Sequence, residues 1–283
     1  MQRGLILLLL AACGIAEGSE PSCSSGASPL VSPAVRDGRG WFVNTVRSEY
    51  QSGETKIKVL VPDCLESGRR YRVLYVLPVE AREENRYGEG LQAIKSQGLH
   101  NRYAMICVAP TFSDLPWYAD HPTNPEIRQE SYLLKVVIPA VEKHYPAMAE
   151  PDGRWLLGFS KSGWGAWSLL LRHPEVFARA AAWDAPLTEP VPANFGMGPI
   201  FGTQENFERY RVETLLRTQA ARLGKKPRLV LSGYANFRRQ HERIHEEMTR
   251  WGVPHVVRDG PQREHRWDSG WVPEAVELLV GLR

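Results

Sequence analysis

Ser160, His265 and Asp184 are the residues of this chain whose types could together cleave an acyl bond. A serine hydroxyl is a weak nucleophile until an imidazole takes its proton, and the imidazole needs a partner to orient it. Ser160 is singled out by its neighbours in the stretch RWLLGFSKSGWGAWSLLL, residues 154–171. Trp155-Leu156-Leu157 reads as a buried strand, residues 158–163 as a sharp turn, and the segment from Trp164 as a helix with an apolar face. A strand, a tight turn with a central Ser and a helix make the context of a nucleophile elbow. Such a turn forces the Ser into a strained conformation, so residues two positions away must be small, as Gly158 and Ser162 are. Gly163 and Gly165 let the helix approach the strand. The pattern is G-x-S-x-S-G, with Ser162 where a second Gly is usual. The helix N-terminus aims N–H groups and a positive dipole end at an oxyanion formed beside Ser160.

His265 lies in the loop after the last expected strand and just before the final helix, the place for a base when the order is Ser, acid, His. Asp184 ends an expected strand over residues 178–183 and could supply the carboxylate; a strand-end Asp also commonly caps its loop through backbone N–H groups. Asp259 and Asp268 stand near His265 in sequence as further candidates. The backbone N–H of Lys161 is one expected oxyanion donor. The second comes from the loop after the strand at residues 71–79, from Val79 or Glu80, because Pro78 cannot donate. The Lys161 side chain either favours an acidic substrate or faces solvent. Of nine Trp residues, several fall near strand ends, so Trp117, Tyr118 and Trp267 are expected to contact substrate, with Asp120 and His121 from the same Pro-rich loop; Trp183 could join that aromatic wall, while Trp164 and Trp271 read as packing residues.

The elements that must position these groups follow from hydrophobic pattern. Residues 40–47 and 55–61 read as a hairpin, the second strand alternating cleanly, so one face is wet. Residues 71–79 and 104–109 are continuous apolar runs suited to strands buried on both faces. Helices are expected at 90–99 (weakly), 126–145 despite Pro139, 204–223, 237–251 and 272–282, with strands at 227–231 and 254–257 between the later ones. A hairpin followed by alternating strands and helices predicts an α/β fold with a mostly parallel sheet and helices on both faces, without a large lid. In such sheets sites gather at the carboxyl ends of strands, where every candidate above lies.

The elbow Gly158-Phe159-Ser160-Lys161-Ser162-Gly163 and the stretch from Gly260-Pro261 to His265 and Trp267 resemble the esterase D-like and feruloyl esterase-like branch of the α/β-hydrolase superfamily, which also holds enterochelin esterase-like proteins. The resemblance covers most of the chain beyond the N-terminus. It implies hydrolysis of carboxylic esters through an acyl-serine, on carbohydrate-linked or phenolic esters, with no cofactor. It departs from the family in two places. The family's acid follows the strand that here ends near Leu231, where this chain has Asn236; either Asp184 has taken over one strand earlier, or Asn236 orients the imidazole without charge. Relatives often carry His-Gly-Gly in the oxyanion loop, where this chain has Leu77-Pro78-Val79-Glu80. The missing Asp also motivates an alternative, a catalytically impaired binding protein.

His241-Glu242-Arg243-Ile244-His245 matches H-E-x-x-H on an expected helix, the pattern of a zinc protease. The two His share a face, but the surrounding charges read as a solvated helix, with no third ligand beyond Glu264. The net charge of +3 with mixed signs points away from nucleic acid. Residues 4–12 form an apolar run of signal-peptide length, so residues 1–16 are expected to direct export, to the periplasm, the exterior or a bacterial membrane surface. Leu10-Ala11-Ala12-Cys13 looks like a lipobox, which would make Cys13 a lipid anchor; cleavage after Ala16 would instead release a soluble protein. Residues 17–39 read as a Ser/Gly/Pro-rich tether, leaving 40–283 as the catalytic domain. The four cysteines show no metal spacing; Cys107 reads as buried, and a Cys23–Cys64 bridge is possible in an oxidising compartment.

Overall fold

The computed structural model describes residues 28–282. The expected signal peptide, Cys13 and Cys23 therefore lie outside the described residues. Among the described residues there are ten strands: β1 (Leu30–Val31), β2 (Val35–Arg36), β3 (Phe42–Arg47), β4 (Glu54–Leu60), β5 (Arg72–Val76), β6 (Met105–Pro110), β7 (Arg154–Phe159), β8 (Arg179–Trp183), β9 (Leu229–Tyr234) and β10 (His255–Gln262). They form one sheet in the order β1-β3-β4-β6-β5-β7-β8-β9-β10, with β2 also on β3. The β3–β4 hairpin and the β4–β6 pair are antiparallel. The pairs from β6 through β10 are all parallel.

The burial pattern explains the pairing. In β4, Thr55, Ile57 and Val59 are buried while Lys56 and Lys58 are not, the alternation of a strand with one wet face. The β5 and β7 runs are buried almost throughout because helices cover both faces. One core holds residues of the helices at 129–144, 160–172, 212–219 and 238–250 against the sheet. The other holds Leu91, Ala93 and Ile94 of Gly90–Ser96 with Val272, Ala275, Val276 and Leu279 of Val272–Gly281.

Four departures from the pattern-based expectation bear most on the frame of the site. The tether does not run to residue 39: β1 and β2 both pair with β3, and Asn44 Nδ2 donates to Ser32 O, so the sheet edge starts at Leu30. The helix at 126–145 becomes α-helical turns Gln129–Tyr132 and Ile138–His144 joined by a π turn, Leu133–Val137. Pro139 follows that wide turn, where its missing N–H is tolerated. The helix expected at 204–223 breaks into Gln204–Glu208, Val212–Gln219 and a 3₁₀ turn, Ala220–Leu223. The break falls where Tyr210 turns inward, its hydroxyl donating to Glu130 and accepting from the Asp120 N–H, with Arg172 over its ring. Finally, β10 runs on to Gln262 through an irregularity after Arg258, so the following loop starts against the end of β9. Among the described residues no helix is long and apolar enough to cross a membrane.

Candidate active site

The parallel order β5-β7-β8-β9-β10 sets the carboxyl ends of these strands side by side, and the candidate groups stand on them. Ser160 follows β7 with φ of 52°, a left-handed conformation that a non-glycine residue rarely adopts. The sequence around it allows this. A Cβ at Gly158 would strike the Ser162 backbone, and one at Gly165 would strike the Tyr118 ring. Ser162, in place of the usual Gly, closes the turn: its hydroxyl donates to Phe159 O at 2.9 Å and accepts the Phe159 N–H at 3.0 Å. The Ser160 N–H donates to Asp184 O at 3.1 Å, so the elbow is tied directly to the end of β8. Among the described residues Ser160 Oγ makes no hydrogen bond; in unliganded hydrolases this contact commonly tightens only with substrate.

Asp184 is fully buried and also has a positive φ, 40°. Its Oδ2 accepts a hydrogen bond from His265 Nδ1 at 2.5 Å. Its Oδ1 accepts the backbone N–H groups of Asn236 and Phe237, each at 2.8 Å. These two residues lead into the helix Arg238–Arg250, so the carboxylate faces a positive helix end. Burial alone would raise the Asp184 carboxyl, but the hydrogen bonds from His265 and the backbone outweigh it and hold the group below the ordinary carboxylate range. His265 is partly exposed at its outer edge and walled by aromatic rings: Phe159 at 5.0 Å, Tyr87 at 5.4 Å, Phe237 at 6.1 Å and Trp183 at 6.4 Å between centroids.

The other candidate acids are engaged elsewhere. Asp259 pairs with Arg238, and Asp268 with Arg266. Asn236 is exposed, and what it brings to the site is its backbone N–H on Asp184; the reading of its side chain as the imidazole orienter is corrected on that ground.

Beside the elbow, the loop after β5 holds Val79 and Glu80, both buried. The Leu77 N–H donates to Leu157 O at 2.9 Å, and the Tyr118 hydroxyl donates to Pro78 O at 2.6 Å, fixing the loop on both sides of Pro78. The N–H groups of Val79 and Glu80 donate to nothing among the described residues. Lys161, second in the elbow helix Ser160–Arg172, has no intrahelical acceptor for its N–H. Its ammonium pKa is lowered by burial, with Glu80 working against that shift and Arg86 with it. The Glu80 carboxylate is held by Arg86 Nε and the Tyr87 N–H, both at 3.2 Å.

The expected aromatic wall is differently placed. Trp117 and Tyr118 are fully buried rather than open to substrate. Trp117 packs edge-on against Trp164 and donates to Phe195 O, while Tyr118, at a φ of 58°, braces the loop after β5. Asp120 and His121 are likewise occupied: Asp120 accepts from Ser131, and His121 Nδ1 accepts the Asn124 N–H. Trp267 does stand near the site, edge-on to Phe159 and lining a cavity of about 50 Å³ behind Val79 and Glu80. The residues that edge His265 on the open side are Tyr87 and Phe237, and the half-exposed Phe195 packs on Phe237 at 5.6 Å. No sequence pattern marks these three; they come from three separate loops.

The zinc reading is corrected. His241 faces inward, its Nε2 accepting the Ala185 N–H at 2.9 Å. His245 turns to the surface against His255, and Glu242 pairs with Arg238. Among the described residues no three His, Cys, Asp or Glu side chains gather as a metal site.

A strained serine between strand and helix, with a buried Asp–His pair on the neighbouring strand ends of a parallel sheet, defines an α/β-hydrolase. The chain belongs to the Esterase family, described as "Putative esterase", whose profile matches residues 48–236. Esterase MT1326 of Mycobacterium tuberculosis is 27% identical over 137 residues, which cover 46% of this chain and 29% of that protein, so the match spans under a third of the relative's length. Among solved structures, the fluorophosphonate-binding serine hydrolase FphF of Staphylococcus aureus superposes with a TM-score of 0.70 at 16% identity, covering 88% of this chain and 99% of its own. A ferulic acid esterase superposes at 0.63 with 19% identity, covering 89% and 96%. These superpositions establish the fold.

Proposed function

We propose that the protein hydrolyses carboxylic esters through an acyl-enzyme on Ser160. The observation that carries this reading is the Asp184–His265 hydrogen bond of 2.5 Å on a carboxylate whose other oxygen is held by two N–H groups. It supplies the charged orienter that position 236 lacks. Asp184 accepts from Nδ1, which leaves Nε2 of His265 as the base. Ser160 Oγ attacks the ester carbonyl as Nε2 takes its proton. The oxyanion is received by the free N–H of Lys161 and that of Val79. His265 then protonates the departing alcohol, and the same base activates water to release the acid and restore Ser160. No step needs a metal or a cofactor.

The substrate is a small-molecule ester. The aromatic edge formed by Tyr87, Phe237 and Phe195 suits a phenolic or sugar-linked group, in keeping with the name of the ferulic acid esterase neighbour. The apolar run at residues 4–12 favours export, with Cys13 as a lipid attachment point; mass spectrometry of the mature N-terminus tests this, an intact residue 1 contradicting it. For the reaction, Ser160→Ala should abolish p-nitrophenyl acetate turnover and fluorophosphonate labelling while leaving the circular dichroism spectrum unchanged. A wild-type protein that neither turns over esters nor labels would instead be a hydrolase-like binding protein.

A further inference from the structure

The helix Arg238–Arg250 carries a buried histidine that the reaction does not use. His241 is 7% exposed, and burial pushes its imidazole down to about 4, so it is neutral wherever the enzyme would work. In the neutral ring with its proton on Nδ1, Nε2 has a lone pair to accept the Ala185 N–H at 2.9 Å, while the Ala185 carbonyl lies 3.2 Å from the same nitrogen. That N–H belongs to the peptide unit joining Asp184 to Ala185, and the carbonyl of the same unit accepts the Ser160 N–H at 3.1 Å. A peptide is planar and rigid, so fixing both ends fixes the plane from which the Asp184 side chain departs. The helix that holds this plane through His241 also holds the carboxylate through the N–H groups at its head. The preceding residue, Gln240, accepts the Thr188 N–H on its side-chain oxygen at 2.8 Å and secures the outgoing chain.

We propose that His241 is a positioning residue for the catalytic acid: it pins the Asp184–Ala185 peptide against the elbow and so aims Asp184 at His265. The inference rests on the ester-hydrolase reading. Asp184 needs such a clamp because it sits at a φ of 40°, a conformation an Asp holds only when its surroundings over-determine it. An apolar residue at 241 would fill the space but leave the buried Ala185 N–H without an acceptor.

The test compares His241→Gln with His241→Met, two unbranched side chains of similar length of which only Gln offers an acceptor. Rates on p-nitrophenyl acetate are expressed per folded molecule, from circular dichroism. His241→Met should lower kcat roughly 10- to 100-fold with KM little changed, as expected when a catalytic group is misplaced by a fraction of an ångström. His241→Gln should stay within about threefold of wild type. In an Asp184→Asn background the Gln–Met difference should vanish, because the residue through which His241 acts is already disabled. If His241→Met does not fold, His241→Asn, whose amide stops short of Ala185, takes its place. Equal rates for the acceptor and non-acceptor variants, or an undiminished difference in the Asp184→Asn background, would overturn the proposal. Ester turnover surviving Ser160→Ala would sink the hydrolase reading itself, whereas a dead Ser160→Ala with equal 241 variants sinks only the role of His241.

Discussion

The elbow and the acid site solve the same mechanical problem by different means. Each must hold a non-glycine residue at positive φ at the end of a parallel strand: Ser160 at 52° after β7 and Asp184 at 40° after β8. The elbow does it locally, by keeping Gly158, Ser162 and Gly163 small so that strand and helix can close over Ser160. The acid site does it at a distance, through hydrogen bonds donated by Asn236, Phe237 and His265 and through His241, which accepts the Ala185 N–H; these residues lie 52 to 81 positions further along the chain. Strain held by sterics is broken by adding atoms, and strain held by polar contacts by removing them.

The predictions separate these two modes. Ser160→Ala carries the largest effect, a loss of turnover on the order of 10⁶-fold with the fold intact, measured by steady-state kinetics and circular dichroism. Gly165→Ala adds one methyl against the Tyr118 ring and should cost about 1–3 kcal/mol of stability, read by denaturant unfolding. The matching change on the acid side, Ala185→Gly, adds nothing to collide with, and a larger cost there than at Gly165 would contradict the contrast. Ser162→Ala removes the hydroxyl that closes the elbow turn and should cost about 1 kcal/mol.

The smallest expected effect concerns pH. The Asp184 carboxyl lies below its ordinary range in the folded protein, so its ionised form stabilises the fold at neutral pH. That contribution persists above the unfolded-state pKa and is lost as pH falls through the lower folded value. The difference in Tm between wild type and Asp184→Asn should therefore narrow on acidification below about pH 4. The difference between wild type and Ser160→Ala should stay level over the same range, since Ser160 does not titrate there. A wild-type/Asp184→Asn gap that widened in acid would reverse the assigned sign.

The same contrast explains what could be read from the sequence. The elbow was legible because its constraints fall on residues within a few positions of Ser160, and a hydrophobic strand and helix flank them. The sheet was legible for the same reason: β4 alternates, while β5 and β7 are continuous apolar runs. Position 265 was legible from chain order. Asp184 could be named only as one of several acids, because what distinguishes it from Asp259 and Asp268 is the spatial pairing of β8 with β9 and of Arg238 and Arg266 with its rivals. Trp117 and Tyr118 misled because a Pro-rich loop suggests exposure, whereas the packing of Trp117 on Trp164 and of Tyr118 on the elbow helix draws both inward. The charges around H-E-x-x-H rightly weighed against zinc, but the solvated-helix reading missed that His241 is buried at Ala185, while His245 exits toward His255.

The central claim is that the charge orienting His265 comes from Asp184 and that position 236 contributes only its backbone. Hydrolysis of p-nitrophenyl acetate by Asp184→Asn and Asn236→Ala, measured side by side, tests it most directly. The structure predicts a loss of about 10⁴-fold in kcat for Asp184→Asn and a rate within about twofold of wild type for Asn236→Ala, whose exposed side chain makes no hydrogen bond to Asp184 or His265. An active Asp184→Asn enzyme beside an inactive Asn236→Ala would contradict it.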